Sequence, residues 1–178
     1  MLLNCLKNLK KDNFKNINIP TFDKSIDDRR KKKYWIKVKK KPDIVIFEGW
    51  CVGAKAQTKN SLTKPINELE RIKDKKKIWR IKVNNELKTK YKKIFTLIDT
   101  LIFLKVPSFK YVYKWRVLQE KKLKKFSKGN KIMTKTQIKE FIMHYERITR
   151  NMIKNLSSSA NIVVNIDKQH CLNSMKYN

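Results

Sequence analysis

The chain has 178 residues, 40% hydrophobic content and a net charge of +30, which is enough apolar content to bury one core. No apolar stretch approaches the roughly 18–20 residues of a membrane span. Three widely separated cysteines exclude a disulfide framework and a CxxC zinc pattern. Because the first residues lack the apolar region of a secretory signal, a reducing cytoplasm is the expected compartment.

The positive charge comes mainly from lysine, which supplies 38 of the 45 basic residues. Lysine, isoleucine and asparagine together make up 74 of the 178 residues, a skew typical of AT-rich coding sequence. Most of the lysine is therefore interpreted as solvated surface, and a nucleic-acid-binding protein is the alternative. That alternative would use the lysine runs at 31–33, 39–41, 75–77 and 121–125.

The seven arginines stand out against this background. A guanidinium group can grip a carboxylate or a phosphate in a fixed plane, which an ammonium group cannot do. Each arginine is therefore a candidate for a geometric role. They are Arg29, Arg30, Arg71, Arg80, Arg116, Arg147 and Arg150.

The first third of the chain predicts short elements and one buried strand. Leucine spacing favours a helix over 2–11, and Ile17 and Ile19 indicate a short extended piece ended by Pro20. A charged stretch over 27–33 is typical of a loop. The clearest strand is predicted at 43–49, because four consecutive apolar residues suit a parallel strand that is buried on both faces.

Helices and strands are expected to alternate in the remainder. A loop is predicted at 51–63, a helix from Pro65 to Ile72, and a second helix capped by Asn84 that extends to Ile98. A buried strand is predicted at 99–106, since Pro107 would end it. Alternating strands and helices favour an α/β fold with a parallel sheet and crossover helices.

The last third contains the strongest helix signal. Ser108 is expected to cap one helix, and Thr134 with Gln137 fits a capping box for another, with Met133 and Ile138 as a hydrophobic staple. A final apolar run lies at 161–166. The last eleven residues, 168–178, are interpreted as a frayed tail, so one domain is expected over 1–167.

Glu48 and Gly49 end the predicted strand at 43–49 in the manner of a Walker-B element. A carboxylate at the C-terminal end of a parallel strand can face a ligand crevice and hold Mg²⁺ directly or through water. Glu48 is therefore the candidate metal ligand.

Six sequence words occur in an order that points to one family. They are P-x-F-D-K-S-x-x-D-x-R at 20–30, E-G-W-C-V-G at 48–53, P-I-N-E-L-E at 65–70, W-R-x-x-x-N at 79–84, P-S-F-x-x-V-x-x-W-R-x-x-Q-E at 107–120 and F-I-x-H-Y-E-R-x-T at 141–149. Together they resemble the D-glycerate 3-kinase family of P-loop kinases over about residues 18–167. The resemblance implies a P-loop kinase-like sheet and a kinase that uses ATP and Mg²⁺ to phosphorylate D-glycerate or a similar small hydroxy acid.

The resemblance also assigns roles to individual residues. Asp23 would be catalytic and would border the substrate together with Lys24 and Arg29. Arg116 would be catalytic on a lid helix that closes over the phosphates, and Gln119 would contact the substrate one turn further on. Catalysis in such kinases is mostly positioning and charge neutralisation of the transferring phosphoryl group.

Other motif residues receive structural interpretations. The tryptophans at 50, 79 and 115 are expected to pack in the core or the lid. Glu146 and Arg147 are expected to form a structural pair on a helical surface.

The departures from the family pattern concern phosphate binding. The phosphate-binding loop G-x-x-x-x-G-K-[ST] has no match in the 178 residues, and the three glycines at 49, 53 and 129 cannot form it. The chain alone is therefore expected to be inactive, as a truncated kinase or as one half of a split enzyme whose partner polypeptide bears the P-loop. A non-catalytic interaction protein that keeps the kinase fold is a further alternative.

Overall fold

The computed structural model describes residues 1–23, 26, 28–126 and 133–178. The chain divides into two compact units. Unit 1 comprises Met1–Glu48 with Lys93–Leu97, and unit 2 comprises Gly49–Lys92 with Ile98–Asn178.

Unit 1 contains a first helix, two small antiparallel strand pairs and most of a short helix at Lys92–Phe95. Its elements are α1 (Leu2–Lys10), β1 (Ile17–Ile19), β2 (Phe22–Asp23), β3 (Asp28–Arg29), a 3₁₀ turn (Lys32–Tyr34) and β4 (Ile36–Val38). β1 pairs with β4, with Ile17 opposite Val38, and β2 pairs with β3. The predicted first helix and extended piece are confirmed, whereas the predicted loop at 27–33 contains a short strand and a 3₁₀ turn.

The predicted strand at 43–49 does not form. These residues have no β-pairing, and Ile44 and Ile46 are 79% and 87% exposed. A strand is stabilised by its pairing with a neighbour, and no described strand lies beside this run. An apolar, β-branched sequence alone was therefore insufficient to predict it correctly.

Helices make up most of unit 2. They are α2 (Glu68–Lys73), α3 (Ile78–Glu86), a π-helical turn (Leu87–Tyr91) that leads into α4 (Lys92–Phe95) at the boundary with unit 1, α5 (Phe109–Phe126) and α6 (Lys135–Asn155), with 3₁₀ turns at Asn60–Leu62 and Leu156–Ser158. Over the described residues, no helix combines the length and the apolar character that crossing a membrane would require.

Side-chain caps set the helix starts in unit 2, and one prediction about them was wrong. Asn67 accepts a hydrogen bond from the Glu70 N–H and caps α2. The helix therefore begins at Glu68, three residues after the predicted start at Pro65. Asp74 accepts bonds from the amides of Trp79 and Arg80 and so caps α3. Asn84 was predicted to cap a helix but lies inside α3, because Asp74 supplies an earlier start.

A buried apolar cluster lies between α5 and α6. The predicted capping box of α6 is present, with Thr134 and Gln137 bonding each other's backbone. Met133 packs against the buried cluster that contains Ile138, as expected for a staple. Phe109 of α5 belongs to the same cluster, so these apolar contacts fix the two helices together.

The sheet of unit 2 has three strands in the order β5–β6–β7: β5 (Ile102–Lys105), β6 (Ile162–Ile166) and β7 (Leu172–Tyr177). β5 and β6 are parallel, which confirms the predicted arrangement for this pair and the α/β class. β7 is antiparallel to β6. The interpretation of residues 168–178 as a frayed tail is therefore wrong.

Candidate active site

A crevice of about 480 Å³ lies at the C-terminal edge of the parallel strands in unit 2. Val106, directly after β5, and His170, after β6, line one side of it. Residues of α5, among them Trp115, Arg116 and Gln119, line the other. Ligands of α/β folds bind outside the carboxyl ends of parallel strands, so this is the expected position of a ligand site.

The Arg116 side chain is held by its own helix. Its Nη1 donates to Gln119 Oε1 at 2.5 Å, and its Nη2 lies 2.6 Å from Glu120 Oε1. The guanidinium also lies 5.5 Å from the ring centre of Phe141. Its Nε is buried and has no hydrogen-bond partner within the described part of the chain. Arg116 is thus fixed in orientation by two of its five N–H donors.

Glu120 links Arg116 to the start of α6. Its carboxylate is only 6% exposed, and its second oxygen accepts a bond from the Met133 N–H at 3.2 Å. One buried carboxylate therefore fixes both the guanidinium and the backbone that enters the second helix of the hairpin. Glu120 thus connects the position of Arg116 to the start of α6.

An aromatic contact forms one wall of the crevice. The rings of Trp115 and His170 are 3.6 Å apart between centroids, and the indole N–H donates to the Lys168 carbonyl at 3.4 Å. His170 has a positive φ of 74°, an uncommon conformation for a residue with a side chain. Trp115 thus packs against a turn that the sequence did not predict, whereas Trp50 and Trp79, which were also expected to pack, are 48% and 50% exposed.

The predicted substrate residues of unit 1 lie on the β2–β3 hairpin. Asp23 forms an ion pair with Arg30 at 3.3 Å, and Arg29 is exposed with its Nη1 3.5 Å from Met1 Sδ. Lys24 lies outside the described residues. Asp23 and Arg29 therefore lie on two paired strands.

Glu48 ends unit 1 as an exposed residue and not as the end of a strand. No group of three or more His, Cys, Asp or Glu side chains that could hold a metal ion occurs among the residues that the structure describes. Mg²⁺ in kinases keeps several waters and uses only one or two protein carboxylates besides the substrate phosphates. A single accessible carboxylate such as Glu48 fits that requirement, although it could not form a metal site alone.

Two of the motif words meet in a buried ion pair between Arg147 and Glu70. The Arg147 guanidinium donates from Nε and Nη2 to the two Glu70 oxygens at 2.6 Å each. It also donates to the carbonyls of Ser61 and Lys64 at 2.9 Å. Arg147 thereby joins α6 to α2 and to the loop before it.

Arg80 extends this network to α3. Its side chain is 4% exposed, its Nε donates to the Leu62 carbonyl at 2.9 Å, and its Nη1 lies near the carboxylates of Glu70 and Asp74 at 3.4 and 3.6 Å. The expectation that scarce arginines have geometric roles is confirmed for Arg80 and Arg147. A cavity of about 270 Å³ lies beside the network, and its lining combines apolar side chains such as Leu69, Val83 and Ile148 with the charged members of the network.

The expected pairing of Glu146 with Arg147 on a surface is wrong. Both side chains are buried, and each has a different partner. Glu146 accepts a bond from Asn67 Nδ2 at 3.0 Å and pairs with Arg150 at 2.7 Å. Successive residues of a helix point about 100° apart, so they contact different neighbours.

The E-G-W-C-V-G word forms a tight turn. Gly53 has a φ of +79°, and a Cβ there would lie 2.8 Å from a methyl carbon of Leu101, just before β5. Only glycine satisfies both conditions. Burial raises the pKa of the Cys51 thiol in the same turn. These motif residues therefore shape the backbone.

Sequence reasoning gave no role to Glu120 or His170. Glu120 lies four residues after Arg116, the spacing of a helical ion pair, and this was an available signal. His170 follows β6 in a segment with no helical or apolar pattern, so only its pairing in space reveals it.

The chain is similar in sequence to two curated kinases. It is 32% identical over 155 residues to "Uncharacterized kinase mug58" of Schizosaccharomyces pombe, covering 81% of this chain and 52% of that protein. It is 25% identical over 147 residues to "D-glycerate 3-kinase, chloroplastic" of Arabidopsis thaliana, covering 80% of this chain and 29% of that protein. The chain thus spans about half the length of the first relative and less than a third of the second. No protein-family model matches.

Solved structures share the fold over almost the entire chain. D-glycerate 3-kinase from Cryptococcus neoformans superposes with a TM-score of 0.80 and 24% identity, covering 99% of this chain and 66% of that one. The YGR205w protein superposes with a TM-score of 0.67 and 23% identity, covering 98% and 62%. The resemblance to the D-glycerate 3-kinase family that the sequence words predicted is thereby confirmed over most of this chain.

Proposed function

We propose that the chain is the part of an ATP-dependent kinase that carries the lid, and that its acceptor is D-glycerate or a similar small hydroxy acid. The observation that carries the proposal is the crevice at the C-terminal edge of β5 and β6, with the fixed Arg116 guanidinium in its wall. The kinase names of the relatives in sequence and fold support the reaction type.

Arg116 has the chemistry to stabilise a transferring phosphoryl group. Charge spreads over three phosphoryl oxygens in the transition state, and a guanidinium can donate to two of them at once. The two Nη atoms are already aligned by Gln119 and Glu120, so little ordering of the side chain is needed on closure. Each Nη atom has a second N–H that can donate to a ligand, and Gln119 is exposed and able to contact the substrate.

The roles in unit 1 are proposed separately. Asp23 would accept the proton of the acceptor hydroxyl, and its ion pair with Arg30 at 3.3 Å would orient the carboxylate. Lys24 and Arg29 would hold the carboxylate of the hydroxy acid. Glu48 would hold Mg²⁺, which neutralises phosphate charge when it is bound with ATP.

Phosphate binding needs a contribution that these 178 residues lack. A P-loop uses successive backbone amides and a lysine to surround the phosphates, and no match to its sequence is present. We therefore propose that the chain by itself does not turn over, and that a P-loop-bearing polypeptide segment completes the enzyme.

The test is a coupled assay of ADP formation with D-glycerate, L-glycerate and lactate as acceptors. The purified chain should give no rate above a blank. The chain co-expressed with the part of the S. pombe kinase that lies outside the matched region should phosphorylate D-glycerate if that part supplies the P-loop, and Glu48→Gln should lower that rate. If the chain alone turns over and Glu48→Gln abolishes that activity, the proposal that the chain needs a P-loop-bearing segment is wrong. If the assembled complex phosphorylates none of the three acceptors, the proposed substrate class is wrong.

A further inference from the structure

The cavity beside the buried ion-pair network takes no part in the proposed phosphoryl transfer. It lies within unit 2, between α2, α3, α6 and the chain before α2, and its volume is about 270 Å³. Among the described residues, none lines both this cavity and the crevice that contains Arg116. A ligand bound in the cavity would therefore be additional to ATP and to the hydroxy acid.

Three of the six sequence words meet at this cavity, and the proposed function uses none of the three. They are P-I-N-E-L-E at 65–70, W-R-x-x-x-N at 79–84 and F-I-x-H-Y-E-R-x-T at 141–149. Each word contributes to the lining, with Leu69 and Glu70, Trp79 and Asn84, and His144 and Arg147 respectively. The words therefore define the walls of one cavity as well as the buried ion pairs.

Apolar side chains of two helices form much of the wall. Trp79, Val83 and Leu87 recur every four residues along α3 and into the π-helical turn after it, so they share one face. Met143 and Ile148 are the apolar contributions of α6. Helical turns of the π type are rare and are frequent at functional sites. Because protein interiors contain few voids larger than a water molecule, an opening of this size is a candidate ligand site.

The cavity is accessible from solvent along α3. Trp79 and Val83 are 50% and 45% exposed although both line the cavity, whereas Leu69 on another wall is only 7% exposed. The lining thus changes from half-exposed to buried, as in a pocket with a mouth. A ligand can therefore enter past α3 without unfolding of the helices.

The described lining carries one uncompensated positive charge. Its two carboxylates, Glu70 and Asp74, are balanced by the guanidinium groups of Arg80 and Arg147, with which they form buried ion pairs. With His144 neutral, the remaining charge is that of Lys55, which is exposed. Opposite charges attract, so the lining favours a ligand with a single negative charge near Lys55.

The volume and the apolar walls define the rest of the ligand. An apolar cavity of about 150 Å³ accommodates benzene, so a volume of about 270 Å³ has room for two fused rings. Such a body would remove the walls formed by Val83 and Ile148 from water. D-glycerate carries hydroxyl groups and no apolar group, so it would leave these walls without a partner.

We propose that this cavity is a second ligand site, and that it binds a small monocarboxylate with an aromatic or similarly bulky apolar body. The carboxylate pairs with the Lys55 ammonium group, and the apolar body packs between α3 and α6. The site is separate from the proposed phosphoryl-transfer crevice.

The first experiment titrates the full chain, with ¹³C-labelled methionine methyl groups, with 2-naphthoate. The Met143 signal, identified from the spectrum of Met143→Leu, should shift saturably, because Met143 lines the cavity. Met175 lies on β7 and does not line it, so its signal should stay in place. A Kd on the order of 1 mM or tighter is expected for a ligand of this size. The neutral 2-naphthamide should bind about threefold or more weakly, because it cannot pair with Lys55.

Matched variants test the walls and the charge. Val83→Trp fills the cavity and should weaken 2-naphthoate binding about tenfold or more, whereas Ile81→Trp on the same helix lies outside the lining and should not. Lys55→Gln should remove the preference for 2-naphthoate over 2-naphthamide, and Lys59→Gln, also outside the lining, should preserve it. Far-UV circular dichroism checks that each variant keeps its helices. Lys55→Gln changes an exposed side chain, so it tests the site even if Val83→Trp fails to fold.

Four results would overturn the proposal. They are no saturable Met143 shift at about 10 mM 2-naphthoate, equal affinities for 2-naphthoate and 2-naphthamide, binding that a folded Val83→Trp leaves unchanged, and a preference that Lys55→Gln leaves unchanged. D-glycerate is titrated in parallel and should leave the Met143 signal in place. A Met143 shift with D-glycerate at a similar affinity would make the cavity the acceptor site, and the proposal of a second site would be wrong. These measurements involve no phosphoryl transfer, so a failure to bind 2-naphthoate leaves the proposed function intact.

Discussion

Arg147 and Glu70 form a buried ion pair with two 2.6 Å hydrogen bonds that joins α6 to α2. The pair also fixes the chain before α2, because Arg147 donates to two of its carbonyl groups. Four of the five guanidinium donors have defined directions here, which no other cationic side chain could provide. The F-I-x-H-Y-E-R-x-T and P-I-N-E-L-E words thus contribute to one structural contact.

Removing Arg147 should destabilise unit 2 strongly. Arg147→Met leaves the buried Glu70 carboxylate with the Ile66 N–H at 3.1 Å and the longer contact to Arg80 at 3.4 Å as its remaining partners. Because only the longer of these contacts is to a charged group, we expect a loss of about 3–5 kcal/mol in the free energy of unfolding. Urea unfolding followed by circular dichroism measures it. The control is Arg71→Met, whose exposed pair with Glu68 should contribute about 0–1 kcal/mol. Equal losses in the two variants would contradict the structural role of Arg147.

Local sequence signals predicted the elements whose determinants are local. The start of α6 was predicted because Thr134, Gln137 and the staple act within one turn of the chain. The strands β5 and β6 were predicted because each has an apolar run ended by a turn, and their parallel pairing follows from the helices between them.

Elements that depend on distant partners were missed or misplaced. β7 has the sequence L-N-S-M-K-Y, which carries no strong strand signal and forms a strand because β6 lies beside it. The run at 43–49 has the stronger signal and no partner. The buried network was likewise not predicted from the sequence. Its ion pairs join Glu70 to Arg80, 10 residues away, and to Arg147, 77 residues away.

We expect Asn84 to stabilise unit 2 through its hydrogen bonds to the backbone of Gln57. Its side chain accepts from the Gln57 N–H at 2.7 Å and donates to the Gln57 carbonyl at 3.0 Å, so it acts as a partner strand would. Asn84→Ala leaves both groups unpaired and should cost about 1–3 kcal/mol. Hydrogen exchange of the Gln57 amide should become faster, whereas exposed Asn85→Ala on the same helix should not change it. Unchanged exchange in Asn84→Ala would show that the segment is held by other contacts.

The Cys51 thiol should ionise only above the usual thiol pH range. Burial raises its pKa, so between the ordinary value and the raised one the unfolded chain loses a proton that the folded chain keeps. The contribution of this group to stability should therefore be present below that window and decline as pH rises through it. Iodoacetamide labelling followed by mass spectrometry should give a higher midpoint pH for Cys51 in the folded chain than in urea. Coinciding midpoints would show that the turn leaves the thiol solvated.

The geometry of Arg116 gives the sharpest prediction for catalysis. In the enzyme assembled with a P-loop-bearing segment, Arg116→Lys should lower kcat on the order of 10³-fold, because an ammonium group cannot donate to two phosphoryl oxygens in a fixed plane. Lys121→Ala and Lys124→Ala remove charge from exposed positions of the same helix and should change kcat little.

Variants of Glu120 can show whether the orientation of Arg116, and not only its charge, contributes to catalysis. Glu120→Gln can still accept from the Met133 N–H and so can keep the hairpin closed, but it loses the charge that pairs with Arg116 at 2.6 Å. We expect kcat to fall with little change in the KM for ATP, and Glu120→Asp, whose shorter side chain still carries the charge, to recover part of the loss. Similar modest effects for Arg116→Lys, Lys121→Ala and Lys124→Ala would mean that α5 contributes only positive charge. In that case the fixed guanidinium in the crevice would have no role in phosphoryl transfer.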